Sequence, residues 1–214
     1  MNRVVTSLMG FFFVVSFNAS AAVITIESVK LDNGLNTNDL STYWDRVLAD
    51  SSSVITSESI LDATLIFNGS ANNHSFFKLT AEFGSSIYDT VNFFAGFDAG
   101  YGAEIFFNDT MVSNVDSNIW WSRNFDKAID IENLGLVSGL NTFEVFWAEN
   151  NNSGGNSFEL SFDNNERMAL ATRNLPTVPT ISTATIPEPS SFALFAIAMA
   201  ALGFTRKKKT AVFN

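Results

Sequence analysis

The stretch Thr90-Val91-Asn92-Phe93-Phe94-Ala95-Gly96-Phe97 sets Val91, Phe93, Ala95 and Phe97 on one side of an extended chain and Asn92, Phe94 and Gly96 on the other. Apolar side chains at every second residue are what a strand with one face on a core requires. The alternation recurs at Phe76–Phe83, where Phe77, Leu79, Ala81 and Phe83 share a side. Val23–Val29 alternates and is β-branched, and Ile60–Phe67, Ala103–Asn108, Thr142–Glu149 and Ser157–Phe162 read as further strands, with Met168–Thr172 as one more. Asp32-Asn33-Gly34, Asn68-Gly69 and Asn108-Asp109 supply turn chemistry between them. Short strands at this spacing predict an all-β sandwich, and the 22 Phe residues are suited to filling the space between its sheets.

One helix interrupts the strands near the N-terminus. Leu40, Tyr43, Trp44, Val47 and Leu48 fall at helical spacing on one face, with Thr37 or Asn38 as its cap. Ser41 and Thr42 weaken its intrinsic preference, so it must rest on packing.

The two ends of the chain differ from its middle. Met1-Asn2-Arg3, the apolar run Val4–Phe17 and the small residues Asn18-Ala19-Ser20-Ala21-Ala22 make residues 1–22 a secretory signal peptide. Residues 23–173 are the sandwich domain, and residues 174–186, rich in Pro, Ser and Thr, are an extended linker. Its hydroxyls are open to O-glycosylation, with a plain spacer as the alternative. Residues 187–214 then join Pro187-Glu188-Pro189, the apolar run Phe192–Phe204 and the cations Arg206, Lys207, Lys208 and Lys209. As a helix that apolar run spans roughly 20 Å, short of a bilayer core of roughly 30 Å, so it suits a temporary transmembrane anchor with the basic cluster on the cytoplasmic side.

That three-part tail resembles the PEP-CTERM sorting signal of exported bacterial proteins. The resemblance implies an exosortase that cuts near Pro187-Glu188-Pro189, a signal peptidase at the other end, and a chain held transiently at the membrane before it reaches the outer envelope or the extracellular space. The basic cluster is mostly Lys rather than Arg, and Thr210-Ala211-Val212-Phe213 precede the terminal Asn214. The alternative is an ordinary tail-anchored helix, for which the apolar run is short.

Charge narrows the partners. Of the twelve Lys and Arg, Arg3 and the four from Arg206 to Lys209 lie in the terminal segments, whereas all 22 acids lie between Glu27 and Glu188. Seven cations against 22 acids leave the exported part at about −15, a surface that repels phosphate backbones and excludes nucleic acid as a partner. With no cysteine, neither disulfides nor thiolate metal sites are available, so the fold rests on its own core.

The stretch from Gly96 to Gly155 carries the most information about the interior. A glycine-rich bend, Gly96-Phe97-Asp98-Ala99-Gly100-Tyr101-Gly102, leads into a strand and the Asn108-Asp109 turn. Ile119-Trp120-Trp121 follows, and then Gly139-Leu140-Asn141-Thr142-Phe143-Glu144-Val145. Gly100 and Gly102 are read as positive-φ residues at the bend. This order resembles galactose-binding-type jelly-roll domains. More narrowly it resembles a group of PEP-CTERM exported proteins that pair a Trp-Trp loop with a Glu-x-Cys-Cys-x-Gly loop. Here Asn151 and Asn152 stand where the cysteines would fall, so any thiol-based role those cysteines imply is excluded.

Several residues are candidates for chemistry. Trp120 and Trp121 are adjacent, so in a strand they point to opposite faces. An exposed one would stack on a sugar ring, while the alternative packs both beneath a loop. Asp98, Asp163 with Asn164, Asn165 and Glu166, and the oxygen-rich loop Glu149–Asn156 offer hard oxygen ligands for a structural Ca²⁺, although none fits an EF-hand spacing and Asp and Asn also serve loops as such. Glu104, Glu144, Glu149 and Glu159 lie on or beside strands, where two carboxylates at glycosidase spacing would be needed for hydrolysis. His74, the only histidine, sits in a polar turn without a nucleophile elbow. The sequence therefore reads as a non-enzymatic exported protein of the envelope or an exopolysaccharide or biofilm matrix, with no required cofactor. A lectin-like glycan-binding module and, behind it, a glycan-acting hydrolase are the alternatives.

Overall fold

The computed structural model describes residues 18–31, 35, 39–67, 74–85, 87–150 and 154–180. The expected signal-peptide run 1–17, Asn151 and Asn152, Pro187, Glu188 and Pro189, the apolar run, and Arg206–Lys209 lie outside them. Residues 19–179 form one compact unit. In chain order its elements are β1 (Asn18–Ser20), β2 (Val23–Leu31), α1 (Leu40–Ala49), β3 (Ile55–Ile60), β4 (Ile66–Phe67), β5 (His74–Ser85), β6 (Thr90–Gly96) and β7 (Asp98–Ala99). They continue with β8 (Ala103–Phe107), β9 (Thr110–Val115), β10 (Ile119–Trp120), β11 (Ile129–Gly135), β12 (Gly139–Glu149), β13 (Gly155–Phe162), β14 (Met168–Ala169) and β15 (Val178–Thr180).

Two sheets face each other, as the alternation predicts. One runs β3-β2-β5-β12-β8-β9, and the other runs β11-β6-β13-β14 with β4 also paired to β13. Between them lie Phe77, Leu79, Ala81 and Phe83 of β5, Val91, Phe93 and Ala95 of β6, Phe143, Val145 and Trp147 of β12, and Phe158, Leu160 and Phe162 of β13. Their rings interlock across the gap, with Phe93 stacked on Phe143 at 4.4 Å between centroids and Trp147 5.6 Å from Phe158. Each such side chain contributes about 1.5–3 kcal/mol by leaving water. Among the described residues no helix is long and apolar enough to cross a membrane.

The opposite face of the six-stranded sheet carries a second, smaller core. Val29, Leu31, Phe76, Phe146 and Ala148 pack there against Leu40, Trp44 and Val47 of α1, with Trp44 edge-on to Phe76 at 5.0 Å. The helix is held by its N-terminus. Glu104 on β8 is fully buried, and its two carboxylate oxygens accept the backbone N–H groups of Leu40 and Ser41 at 2.8 and 2.9 Å. The cap is Asp39, not Thr37 or Asn38, because Asp39 Oδ1 accepts the N–H of Thr42 at 3.0 Å. Three N–H groups that a helix end leaves without partners are thereby satisfied by two carboxylates, which also suit the positive end of the helix dipole.

Other details depart from the sequence reading. The segment 60–67 is not one strand: β3 ends at Ile60 and β4 holds only Ile66–Phe67. Asp62 accepts the N–H of Thr64 at 2.8 Å, and Ala63 turns inward to donate its N–H to Leu170 at 2.8 Å, so the chain crosses between sheets there. Only Gly102 of the two bend glycines has positive φ. At Gly100 the constraint is space, because a Cβ would strike the Asn150 side chain. The pattern also misses β9 and β11. Both lie at sheet edges, both contain register shifts, and neither buries a full face.

Replacing Glu104 by Ala removes two charge-assisted bonds from a buried helix end and is expected to lower stability by about 3 kcal/mol, with Glu104→Gln losing less. Urea denaturation of the two variants beside the parent chain measures the difference.

Candidate functional site

One end of the sandwich gathers the loops between β6 and β8, around β10, and between β12 and β13. Ladder register defines this pole: Glu149 lies opposite Ser75 and Ser157 opposite Gly96, whereas Gly139 lies opposite Ser85 at the far end. The ribbon β7–β10 crosses the pole with Trp120 opposite Asp98 and Ile119 opposite Ala99.

The two tryptophans part company here. Trp121 is 4% exposed, its indole N–H donates to the Gly155 carbonyl at 2.7 Å, and its backbone N–H donates to Phe97 at 3.0 Å. Its ring lies on Gly96 so closely that any Cβ there would overlap it, and Phe125 meets it edge-on at 5.0 Å. Trp120 is 69% exposed. The buried ring thus anchors the loop and the alternation of an extended chain turns its neighbour to solvent.

Beside Trp120 sits an acidic pair. Asp98 donates its backbone N–H to the buried Asn156 side chain at 2.9 Å, and Gly154 lies so close that a Cβ there would meet the Asp98 side chain. Burial, and then the charge of Glu149, push the Asp98 carboxyl above its ordinary value. Glu149 is itself buried, with Oε1 accepting the N–H of Asn150 at 2.9 Å. Cross-strand partners project to the same side of a ladder, so the exposed indole and the Asp98 carboxylate share a face. Nearby, the Tyr101 hydroxyl lies 3.2 Å from His74 Nδ1 at the mouth of β5. His74 therefore opens a strand rather than a free turn.

The remaining candidates have structural employment elsewhere. Asp163 lies at the opposite pole, where its Oδ1 accepts the N–H groups of Asp89 and Thr90 at 3.0 and 2.9 Å, so of the three cation-ligand candidates only Asp98 and Glu149 meet. Among the described residues no group of three or more His, Cys, Asp or Glu side chains is placed to hold a metal ion. Glu104 holds the helix, Glu144 pairs with Lys78 at 2.6 Å on the outer face of the six-stranded sheet, and Glu159 lies on the other sheet, opposite Phe94 and Ala169. These carboxylates do not converge on a cleft. The sequence marked the loop Glu149–Asn156 for its oxygen ligands, but not the part that Asn150, Gly154 and Asn156 play in bracing the Asp98–Gly100 segment. The only signal available was their position in a loop of Asn and Gly flanking Glu149.

Residues 185–208 match the PEP-CTERM protein-sorting motif, which ties the chain to exosortase-mediated sorting and export to the cell envelope. No curated protein sequence matches this chain. Among solved structures, the fold is similar to that of the PA14 sugar-binding domain from an RTX adhesin, with a TM-score of 0.51, 13% identity, and coverage of 75% of this chain and 99% of that one. The PA14 domain of the MpAFP antifreeze protein gives a TM-score of 0.46 at 16% identity, covering 80% of this chain and 96% of that one. The epithelial adhesin 6 A domain from Candida glabrata, solved in complex with Galβ1-3GlcNAc, gives 0.48 at 11% identity, with 76% and 88% covered. The likeness to the RTX adhesin domain shows a shared β-sandwich fold.

The two indoles respond differently to truncation: Trp121→Ala is expected to lose about 3–5 kcal/mol from the cavity and the orphaned Gly155 carbonyl, and Trp120→Ala less than about 0.5 kcal/mol. Thermal and urea melts of the pair measure this. Asp98 gives a pH signature. Its carboxyl is raised in the folded state, so its stabilising protonated form is present below the ordinary value of 3.8 and that contribution is lost as pH rises through the folded value. Asp98→Asn should therefore melt higher than the parent at pH 7, and the gain should vanish as pH falls towards 4.

Proposed function

We propose that this chain is a non-enzymatic, exported glycan-binding module, delivered by its sorting tail to the envelope or the surrounding exopolysaccharide and holding sugar at the Trp120 pole. The observation that carries the reading is an exposed indole fixed beside a carboxylate pair by a buried neighbour. An aromatic face covers the apolar C–H side of a sugar ring, while the Asp98 carboxylate accepts hydrogen bonds from its hydroxyls and the Asn150 amide accepts and donates them. A few convergent polar groups beside an aromatic wall are what a small-ligand site needs. The pair is not arranged as acid and nucleophile, since Glu149 is buried and bonded to the backbone, which disfavours hydrolysis.

Chain topology supports display. Val23 lies opposite Glu82, and the Gly84 N–H donates to Pro176 at 2.9 Å, so both ends of the domain leave at the pole away from Trp120. Nine residue steps along β5 from Ser75 to Gly84 separate the poles by roughly 30 Å. In this reading the exosortase, acting near Pro187, Glu188 and Pro189 with Arg206, Lys207, Lys208 and Lys209 as the basic stop, and the signal peptidase are the processing partners. The membrane is a transient one, through the apolar run.

Retention on extracellular polysaccharide from the producing cells tests the site: Trp120→Ala should release the protein while its melting temperature stays unchanged. Undiminished retention would sink the reading. Mass measurement of the mature C-terminus tests the processing, since a chain that still ends at Asn214 in cells with an active exosortase contradicts it.

A further inference from the structure

On the flank of the sandwich a cleft of about 680 Å³ opens between β2 and β3 on one side and residues 62–67 on the other. Its size falls within the range of roughly 300–1,000 Å³ usual for ligand sites. The register Ile26↔Glu58 and Ser28↔Thr56 places these four side chains, with Ile60, on the inner face of the sheet, where they form the floor with Phe77 and Ser75 of β5. In its middle that inner face is apolar, with Leu79, Ala81, Phe83, Phe143 and Val145. Here it presents the hydroxyls of Ser28, Thr56 and Ser75, the Glu58 carboxylate and the Lys30 ammonium in the gap between sheets.

Across the cleft, Leu65 and Phe67 turn apolar surface into the opening, and Phe67 is 60% exposed. An inserted apolar strand would leave Ser28, Thr56 and Glu58 dry and without partners, at a desolvation penalty each. A polyhydroxylated ring satisfies both walls, with its hydroxyls towards Ser28, Thr56 and Glu58 and its C–H face towards Phe67. Lys30 stands in the lining beside Glu58, and Asp62 pairs with Arg173, so it is the domain's excess of acids over cations that disfavours an anionic chain.

We infer that this flank cleft is a second carbohydrate-binding site, taking a segment of neutral polysaccharide laid along β3. It is distinct from the Trp120 site but braced by the same residue: Phe67 pairs with Gly155, whose carbonyl accepts the Trp121 indole. Two sites on one small domain would let it cross-link chains or grip one chain at two points, raising avidity without a larger interface.

Titration calorimetry of the full-length chain with glucan, galactan and N-acetylglucosamine hexasaccharides tests this. Thr56, Glu58 and Phe67 are exposed, so Phe67→Ala and Thr56→Val/Glu58→Gln should fold with unchanged melting temperatures. The expected result is one binding event retained in Trp120→Ala, weakened roughly tenfold by adding Phe67→Ala and abolished by adding Thr56→Val/Glu58→Gln. If Trp120→Ala alone removes all binding, the flank inference is overturned and the Trp120 reading stands. If Trp120→Ala changes nothing while the flank variants abolish binding, the flank site stands and the Trp120 reading falls. Binding of a peptide of residues 174–186, blocked by Phe67→Ala, with no response to any hexasaccharide, also overturns the inference.

Discussion

Strand β12 is covered on both faces, and most of the domain follows from that double burial. Phe143, Val145 and Trp147 enter the core between the sheets, while Phe146 and Ala148 enter the smaller core beneath the helix. A strand of this kind must have a sheet on one side and another layer on the other. It also has to keep its register, since a slip of one residue would exchange the two sets. Eleven paired positions to β5 and five to β8 hold it. The same strand ends at Glu149, so the packing of the core delivers a carboxylate to the pole where the tryptophan loop sits.

The polar groups that the core does bury have defined work. Glu104 holds the helix end against the sheet, and the fully buried Asn141 accepts the Val137 N–H and the Asn108 amide while donating to the Val137 carbonyl. Asn108 returns the interaction by accepting the Thr142 N–H. Such networks are stable only when every member is satisfied, and these tie the β8–β9 hairpin to the start of β12. Asn108 and Asp109 both adopt positive φ, the backbone that a two-residue hairpin turn demands.

In the proposed reading, ligands meet this frame at its open places. At the pole, loops supply an exposed indole and an acid pair over a rigid base. At the flank, the five-stranded sheet is too narrow to cover β2 and β3, and the floor there turns polar. Both are surfaces where packing stops before the side chains do, which is where a sandwich fold accommodates ligands while its interior stays constant.

Much was legible in the chain itself. Period-two alternation at Thr90–Phe97, Phe76–Phe83 and Thr142–Glu149 determined a sandwich, helical spacing from Leu40 to Leu48 determined one helix, and the motif at 185–208 determined the sorting signal. These readings depend on neighbours in sequence, and local periodicity carries them. Edge strands β9 and β11, the break at residues 61–65 and the capping role of Glu104 were not legible, because each is set by partners distant in the chain: Glu104 meets Leu40 from 64 positions away. Adjacent Trp120 and Trp121 announced that one ring could face out, but only the tertiary structure chose which. The void under Gly155 and over Gly96 admits a single indole, and residue 121 occupies it.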